Sequence, residues 1–236
     1  MNQSSDRGPW RNFYGRQKGK ALRPAQQRDM AELLPKLSLG PVSWLDNPER
    51  VPLDFEVLFG GRDVWLEIGF GGGEHLAHLA TVHSDKTIIG CEPYVNGVAM
   101  ALGKIRVACV ENVKVYDGDA RDLFDVIPDR SLARVYLLYP DPWPKKRHHR
   151  RRFVNPEFVN PLAAKMQPGA ELRIATDIED YVRQSLDVVA QHQEFTWMAD
   201  GPKDWRKPWD HWISTRYEKK ALREGRKPHY LRFARR

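Results

Sequence analysis

Along most of this chain, short unbroken apolar runs alternate with segments whose apolar positions recur every three or four residues. The runs "DVWLEIG" (63–69), "KTIIGCE" (86–92), "VKVYDGD" (113–119), "LARVYLLYP" (132–140) and "GAELRIATD" (169–177) read as five strands. The fourth is nearly all apolar, as a strand covered on both faces should be. Between them "GEHLAHLATVH", "VNGVAMALGKIRVACV", "ARDLFDVI" and "NPEFVNPLAAKM" predict helices, and "IEDYVRQSLDVVAQH" predicts one more after the fifth strand. Upstream, "RPAQQRDMAELLPKLSL" sets Met30, Leu33, Leu34 and Leu37 at helical spacing. Near the C-terminus "HYLRFAR" alternates like a last strand, with Tyr230 and Phe233 as its core positions. This rhythm implies an α/β fold: a Rossmann-like, doubly wound, mostly parallel sheet with helices on both faces.

The chain has 236 residues, enough for one large domain or one domain with extensions. No apolar run approaches the roughly 18 residues of a membrane span, and the first twenty residues lack the apolar centre of a secretory signal. Cys91 and Cys109 lie in apolar contexts without C-x-x-C spacing, which argues against a disulfide framework or a zinc site and for a reducing cytoplasm. His75, His78 and His83 have no supporting cysteine or carboxylate pattern, so no metal is expected.

Charge changes the picture once it is divided along the chain. Residues 1–28 carry a net +6, 145–152 a net +6 and 203–236 a net +8, whereas the body between them is acidic. The predicted organisation is a flexible basic arm over 1–28, then one domain over 29–236. That domain carries a basic loop at 145–152 and a basic C-terminal segment at 203–236. If the three basic segments converge they form an anion-binding face; singly, each reads as a solvated charged stretch. In the last segment Trp205, Trp209, Trp212 and Tyr217 are interleaved with cations, which fits either base stacking or packing of a final subdomain.

Candidate chemistry begins with "LEIGFGGGEHL", a strand-to-helix loop with Gly69, Gly71 and Gly73 at alternate positions. Small residues there let a ligand approach backbone N–H groups at a helix N-terminus. The dinucleotide fingerprint G-x-G-x-x-G would require glycine where Glu74 stands. A G-x-G-x-G loop preceded by an acid, Glu67, instead resembles the S-adenosylmethionine loop of Rossmann-like methyltransferases. Glu92 ends the second strand, where such folds place a carboxylate on ribose hydroxyls, and Asp119 ends the third, where an adenine edge would lie or where the residue simply caps a helix.

The densest signal is "YPDPWPKKRHHRRRF" (139–153), in which Asp141 stands among three prolines and is followed by eight consecutive Lys, Arg or His residues. The prolines restrict the backbone around the acid, and the fourth strand delivers it to the cofactor edge of the sheet. Lys145, Lys146, Arg147, Arg150, Arg151 and Arg152 are then placed to hold phosphates. His148 and His149 extend this basic surface as pH falls.

Taken with "ATDIEDY" and "STRYEKKALREGRKPHYLRF", these stretches resemble the bacterial tRNA (guanine-N7)-methyltransferase family, from about residue 60 to the C-terminus. The resemblance implies methyl transfer from S-adenosylmethionine to N7 of the variable-loop guanosine of tRNA. It implies Glu67, Glu92, Asp119 and Asp141 on the cofactor side, with Asp141 also catalytic. It implies Lys145, Asp177, Thr215, Arg216, Tyr217 and Glu218 as substrate-binding. Within that set we assign base reading to Asp177 and Glu218 and orientation of the transfer to Asp141. The expected partner is tRNA, with neither membrane nor metal, in a monomeric protein with a homodimer as the alternative. Rival readings are a methyltransferase of a small molecule and a non-catalytic RNA-binding protein.

Overall fold

The computed structural model describes residues 14–236. Seven strands, β1 (Val64–Ile68), β2 (Thr87–Cys91), β3 (Val113–Tyr116), β4 (Leu132–Leu138), β5 (Met166–Thr176), β6 (Phe195–Trp197) and β7 (His229–Arg235), form one sheet in the order β3-β2-β1-β4-β5-β7-β6. The pairs among β1 to β5 are parallel, while β7 runs antiparallel to β5 and to β6. Parallel neighbours need crossovers, and helices supply them. The helices are α1 (Pro24–Glu32), α2 (Leu34–Leu37), α3 (Phe55–Phe59), α4 (Glu74–Val82), α5 (Val95–Ala108), α6 (Ala120–Val126), α7 (Pro156–Lys165), α8 (Glu179–Ser185), α9 (Lys203–Arg206) and α10 (Arg216–Arg223). Between β3 and β4 the chain returns from the sheet edge to the far side of β1. The switch point therefore falls between β1 and β4, where open sheets bind ligands at their strand C-termini.

Every residue of β1 is buried, and successive side chains enter opposite cores. Leu66 and Ile68 pack with Ile89, Val135, Leu137 and Ile174 and with Val159 and Leu162 of α7. Trp65 packs on the other face with Ile88, Tyr136, Leu76 of α4 and Leu102 of α5. Helix starts follow their side-chain chemistry: Asp54, Asp119, Asn155 and Thr215 each accept a backbone N–H in the first turn of α3, α6, α7 and α10.

The structure departs from the sequence reading in four places. The predicted boundary between residues 28 and 29 falls inside α1. Residues 14–23 of the predicted flexible arm are tied to the body by hydrogen bonds to the start of α5; residues 1–13 lie outside the described residues. The predicted long helix after β5 ends at Ser185 and continues as a π turn over Leu186–Ala190, where the Ser185 hydroxyl donates back to the Tyr181 carbonyl at 2.8 Å. Elements α3, α9, α10 and β6 were not anticipated. "RYEKKALR" of α10 has too few apolar residues to display a helical period, and β6 is only three residues long.

On the face covered by α4, Arg173 of β5 stands directly opposite Arg232 of β7, a like-charge pair that is unfavourable by itself. Glu171 resolves it, accepting from Arg173 Nε at 2.7 Å and from Arg232 Nη2 at 3.0 Å. Burial alone would raise the Glu171 pKa, but these two guanidinium bonds prevail and hold it at about 2. An unfolded glutamate titrates near 4.3, so the stabilisation is complete above that pH and is lost as pH falls toward the folded value. Glu171→Gln is therefore expected to lower the urea midpoint at pH 7, with the gap to the parent protein closing between about pH 4.3 and the folded pKa.

Candidate active site

Beyond the C-terminal ends of β1, β2 and β4 the sheet opens into a cavity of about 1040 Å³. Its floor is the loop between β1 and α4, where Gly69 and Gly71 line the space. Gly73 does not. It is the N-cap of α4 at φ +74°, and a Cβ there would lie 2.4 Å from the Ala101 Cβ, so the third glycine serves the close approach of α4 to α5.

Glu92 follows β2, is 8% exposed and lines the cavity. It accepts from Gly71 N–H at 2.7 Å and from Tyr94 N–H at 2.9 Å, and so clasps the glycine loop to the start of α5. Burial pushes its pKa up, with those two N–H bonds working in the opposite direction. Each oxygen retains acceptor capacity toward the cavity. Asp119 lines the cavity as well, while capping α6 and accepting the Arg121 guanidinium Nε at 3.0 Å. It thus caps the helix and lines the cavity at once.

Asp141 lines the cavity from beyond the end of β4, in a loop bracketed by Tyr139 at φ +50° and Trp143 at φ +40°. Bulky residues rarely occupy that region, and two of them flanking Pro-Asp-Pro mark a backbone held against its preference. Among the described residues Asp141 has no hydrogen-bond or ion-pair partner, although it is exposed to the cavity. The protein packed around it raises its carboxyl pKa by desolvation.

What holds this loop is Arg152. The sequence reading gave it to RNA, and the structure corrects that: it is 1% exposed and cannot meet a phosphate. Its Nε donates to the Pro142 carbonyl at 2.7 Å, Nη1 to Gln184 at 2.9 Å and Nη2 to Asp180 at 2.7 Å. The remaining basic residues behave differently. Lys145, Lys146, Arg147 and Arg150 are exposed on and beside a 3-10 turn over Lys146–Arg151, and Arg150 and Arg151 line the cavity.

Two further acids are corrected. Glu67 is 2% exposed and outside the cavity, with its carboxylate 2.9 Å from Nδ1 of the equally buried His75. Its place on β1 turns it toward the α4 side of the sheet and away from the rim. Glu218 is 3% exposed and accepts from Trp212 Nε1 at 3.0 Å and from the Tyr230 hydroxyl. Tyr139 belongs to this cluster, its pKa pushed up by burial and then by the Glu218 charge. Glu218 therefore joins α10 to β7 and is not free to read a base.

Of its neighbours, Thr215 is the buried N-cap of α10, whereas Arg216 and Tyr217 face the cavity. The Tyr217 ring packs on Gly71, coming within 3.2 Å of where a Cβ would stand. Asp177, just beyond β5, lies outside this cavity; it pairs with Arg226 beside a second cavity of about 410 Å³.

Sequence reasoning did not find Tyr14, Gly15 and Arg16, which reach the cavity wall from the N-terminal side, nor Phe153, Glu157 and Phe158, which close the end near Asp119. The result is a space lined by charges of both signs. Glu92, Asp119, Asp141 and Glu157 offer acceptors for hydroxyl and cationic groups, and Arg16, Arg150, Arg151 and Arg216 face an anion. These acceptors suit a cationic, hydroxyl-bearing nucleoside such as S-adenosylmethionine. No group of three or more metal-ligating side chains is assembled among the described residues, and no helix there is long and apolar enough to cross a membrane.

Comparison with known proteins agrees with this geometry. Residues 61–231 match the family Methyltransf_4, described as "Putative methyltransferase". A tRNA (guanine-N(7)-)-methyltransferase of Ruegeria sp. (strain TM1040) is 66% identical over 227 residues, covering 96% of this chain and 89% of that protein. One from Jannaschia sp. (strain CCS1) is 63% identical, covering 97% and 96%. Among solved structures, a variant of the 16S rRNA (adenine(1408)-N(1))-methyltransferase from Catenulisporales acidiphilia, with cosubstrate SAM, has the same fold. Its TM-score is 0.53 at 18% identity, covering 78% of this chain and 92% of that one.

The division within the basic run is directly testable. Arg152→Ala should cost roughly 2–4 kcal/mol of unfolding free energy, because it removes a buried side chain with its three hydrogen-bonded contacts and leaves a cavity. Arg150→Ala should stay within about 0.5 kcal/mol of the parent, as exposed substitutions usually do. Chemical denaturation of the two variants checks both.

Proposed function

Because the chain belongs to the tRNA (guanine-N(7)-)-methyltransferase family, we propose that it transfers a methyl group from S-adenosylmethionine to N7 of a guanosine in the variable loop of tRNA, forming 7-methylguanosine. The observation that carries this reading is Asp141, a carboxylate without a partner among the described residues, facing a cavity lined by both acidic and basic side chains. When bound, S-adenosylmethionine supplies an electrophilic methyl group on a sulfonium.

The residues present meet what such a reaction needs. N7 of neutral guanine carries a lone pair and no proton, so alignment matters more than a strong base. Glu92 and Asp119 hold the nucleoside hydroxyls and base edge, while Gly69 and Gly71 admit the ligand to the loop backbone. Asp141 orients the transfer and offsets the positive charge that the purine ring gains. Asp177 reads the N1–H and N2 amino edge, exchanging Arg226 for the base. Arg216 and Tyr217 form the wall over the glycine loop, with Thr215 and Glu218 fixing that wall from behind. Lys145, Lys146, Arg147, Arg150 and Arg151 hold phosphates around a nucleotide drawn out of its tertiary stack. A cytoplasmic setting accords with the substrate.

Labelled S-adenosylmethionine and unmodified tRNA transcript, followed by nucleoside digestion, test the reading. Label is expected in 7-methylguanosine and is expected to vanish with Asp141→Ala. Label in another nucleoside would overturn the specificity, and none at all would overturn the reaction.

The same assay carries a pH prediction. Desolvation raises the pKa of both Glu92 and Asp141, so on acidification they lose charge earlier than ordinary carboxylates. Binding of the cationic cofactor should therefore weaken at a pH above that expected for a solvated acid, and recover as pH rises. Calorimetric titration of the cofactor across pH checks this, and a curve falling only at the ordinary carboxylate pKa would contradict it.

A further inference from the structure

The segment running from Tyr14 toward α1 takes no part in the sheet, yet it forms one wall of the cavity through Tyr14, Gly15 and Arg16. Two clips hold it. Val95 N–H donates to the Gln17 carbonyl at 2.9 Å, and Asn96 brackets the next turn, its Oδ1 accepting from Gly19 N–H and its Nδ2 donating to the Lys20 carbonyl, each at 2.7 Å. At Gly19 the contact is so close that a Cβ would fall 2.3 Å from the Tyr94 hydroxyl. The clips sit at the start of α5, four residues or fewer beyond Glu92.

From this anchorage Tyr14 reaches the basic loop. The Arg151 guanidinium lies over the Tyr14 ring at 4.3 Å and over the Trp143 ring at 5.0 Å, and the two rings meet edge to face at 6.2 Å. Arg151 has no hydrogen-bond or ion-pair partner among the described residues, and its buried Nε is unsatisfied. Aromatic faces alone fix it. Five other Lys or Arg residues of this chain's densest positive run flank it in sequence, and without the ring beneath, its charge would be driven out into solvent.

We propose that Tyr14 is a positioning residue for RNA: it shelves Arg151 against Trp143 so that the guanidinium faces the cavity and meets substrate phosphate there. This rests on the reading of the cavity given above. The N-terminal segment is then part of the RNA site, built through one arginine, while the cofactor side is independent of it.

The test uses the full chain, with tRNA transcript as probe for both filter binding and methylation kinetics. Tyr14→Ala is expected to raise the tRNA Kd and KM about five- to tenfold, with kcat and the S-adenosylmethionine Kd within about twofold of the parent. Tyr14→Phe keeps the ring and should restore the parent KM. In a double-substitution cycle, Tyr14→Ala should add nothing once Arg151→Ala is present, since both act on one contact. A parent that methylates tRNA, with Tyr14→Ala unchanged or with penalties that simply add, would overturn this proposal and leave the function standing. A parent that neither binds nor methylates tRNA would overturn both.

Discussion

A guanidinium cannot be left dry and unpaired inside a protein, and the reactive rim of this molecule is arranged around satisfying one. Arg152 occurs at the end of a run of cations, but the fold buries it. Its donors then need acceptors, and they find the Pro142 carbonyl, Gln184 and Asp180 of α8. The consequence reaches well past those bonds. The Pro142 carbonyl belongs to the residue after Asp141, so anchoring it fixes the acid, and it also fixes the point from which the basic 3-10 turn departs. α8 is itself packed on β5, so the loop is referenced to the sheet and not merely to itself.

The cofactor wall is positioned by a parallel logic on the other side of the switch point. Glu92 is buried and must accept hydrogen bonds, and the available donors are the N–H groups of Gly71 and Tyr94. One carboxylate thereby spaces the glycine loop from the start of α5. Above it, Tyr217 packs on Gly71, and Glu218 ties that same turn of α10 to Tyr230 of β7. α10, seated on β7, thus closes over a cavity whose floor was laid after the first strand.

How much of this was legible depended on whether a feature is local. Strands β1 to β5 and their crossovers were readable because burial on both faces writes itself as unbroken apolar runs. The glycine loop and the Pro-Asp-Pro segment were readable because backbone constraint requires particular residue types. Burial of a charged side chain leaves no such local mark. Arg150 and Arg152 are adjacent in kind and nearly in position, and only the tertiary partners Asp180 and Gln184 separate them. Glu67 and Glu218 stand in the expected motifs but are claimed by His75 and by Trp212 and Tyr230, near in sequence yet aimed at the acids only once strand, loop and helix have folded together. The segment from Tyr14 was read as flexible for the same reason: its composition is polar, and its order comes from Asn96, 77 residues away from Gly19.

The juxtaposition of Asp141 with so many cations has a physical explanation in that arrangement. Opposite unit charges at 4 Å attract by about 4 kcal/mol near a protein surface, ample to collapse a mobile carboxylate onto any neighbouring arginine. Yet Asp141 has no partner among the described residues, and the cations that follow it most closely in sequence are directed elsewhere. Arg152 is turned into the interior, Arg151 is clamped between rings, and Lys145 to Arg147 leave toward solvent on the 3-10 turn. The flanking prolines and the left-handed residues Tyr139 and Trp143 stop the acid from following them. A carboxylate kept uncommitted beside a basic surface is available to a base that the surface delivers, and the strain in the loop is the cost of keeping it so.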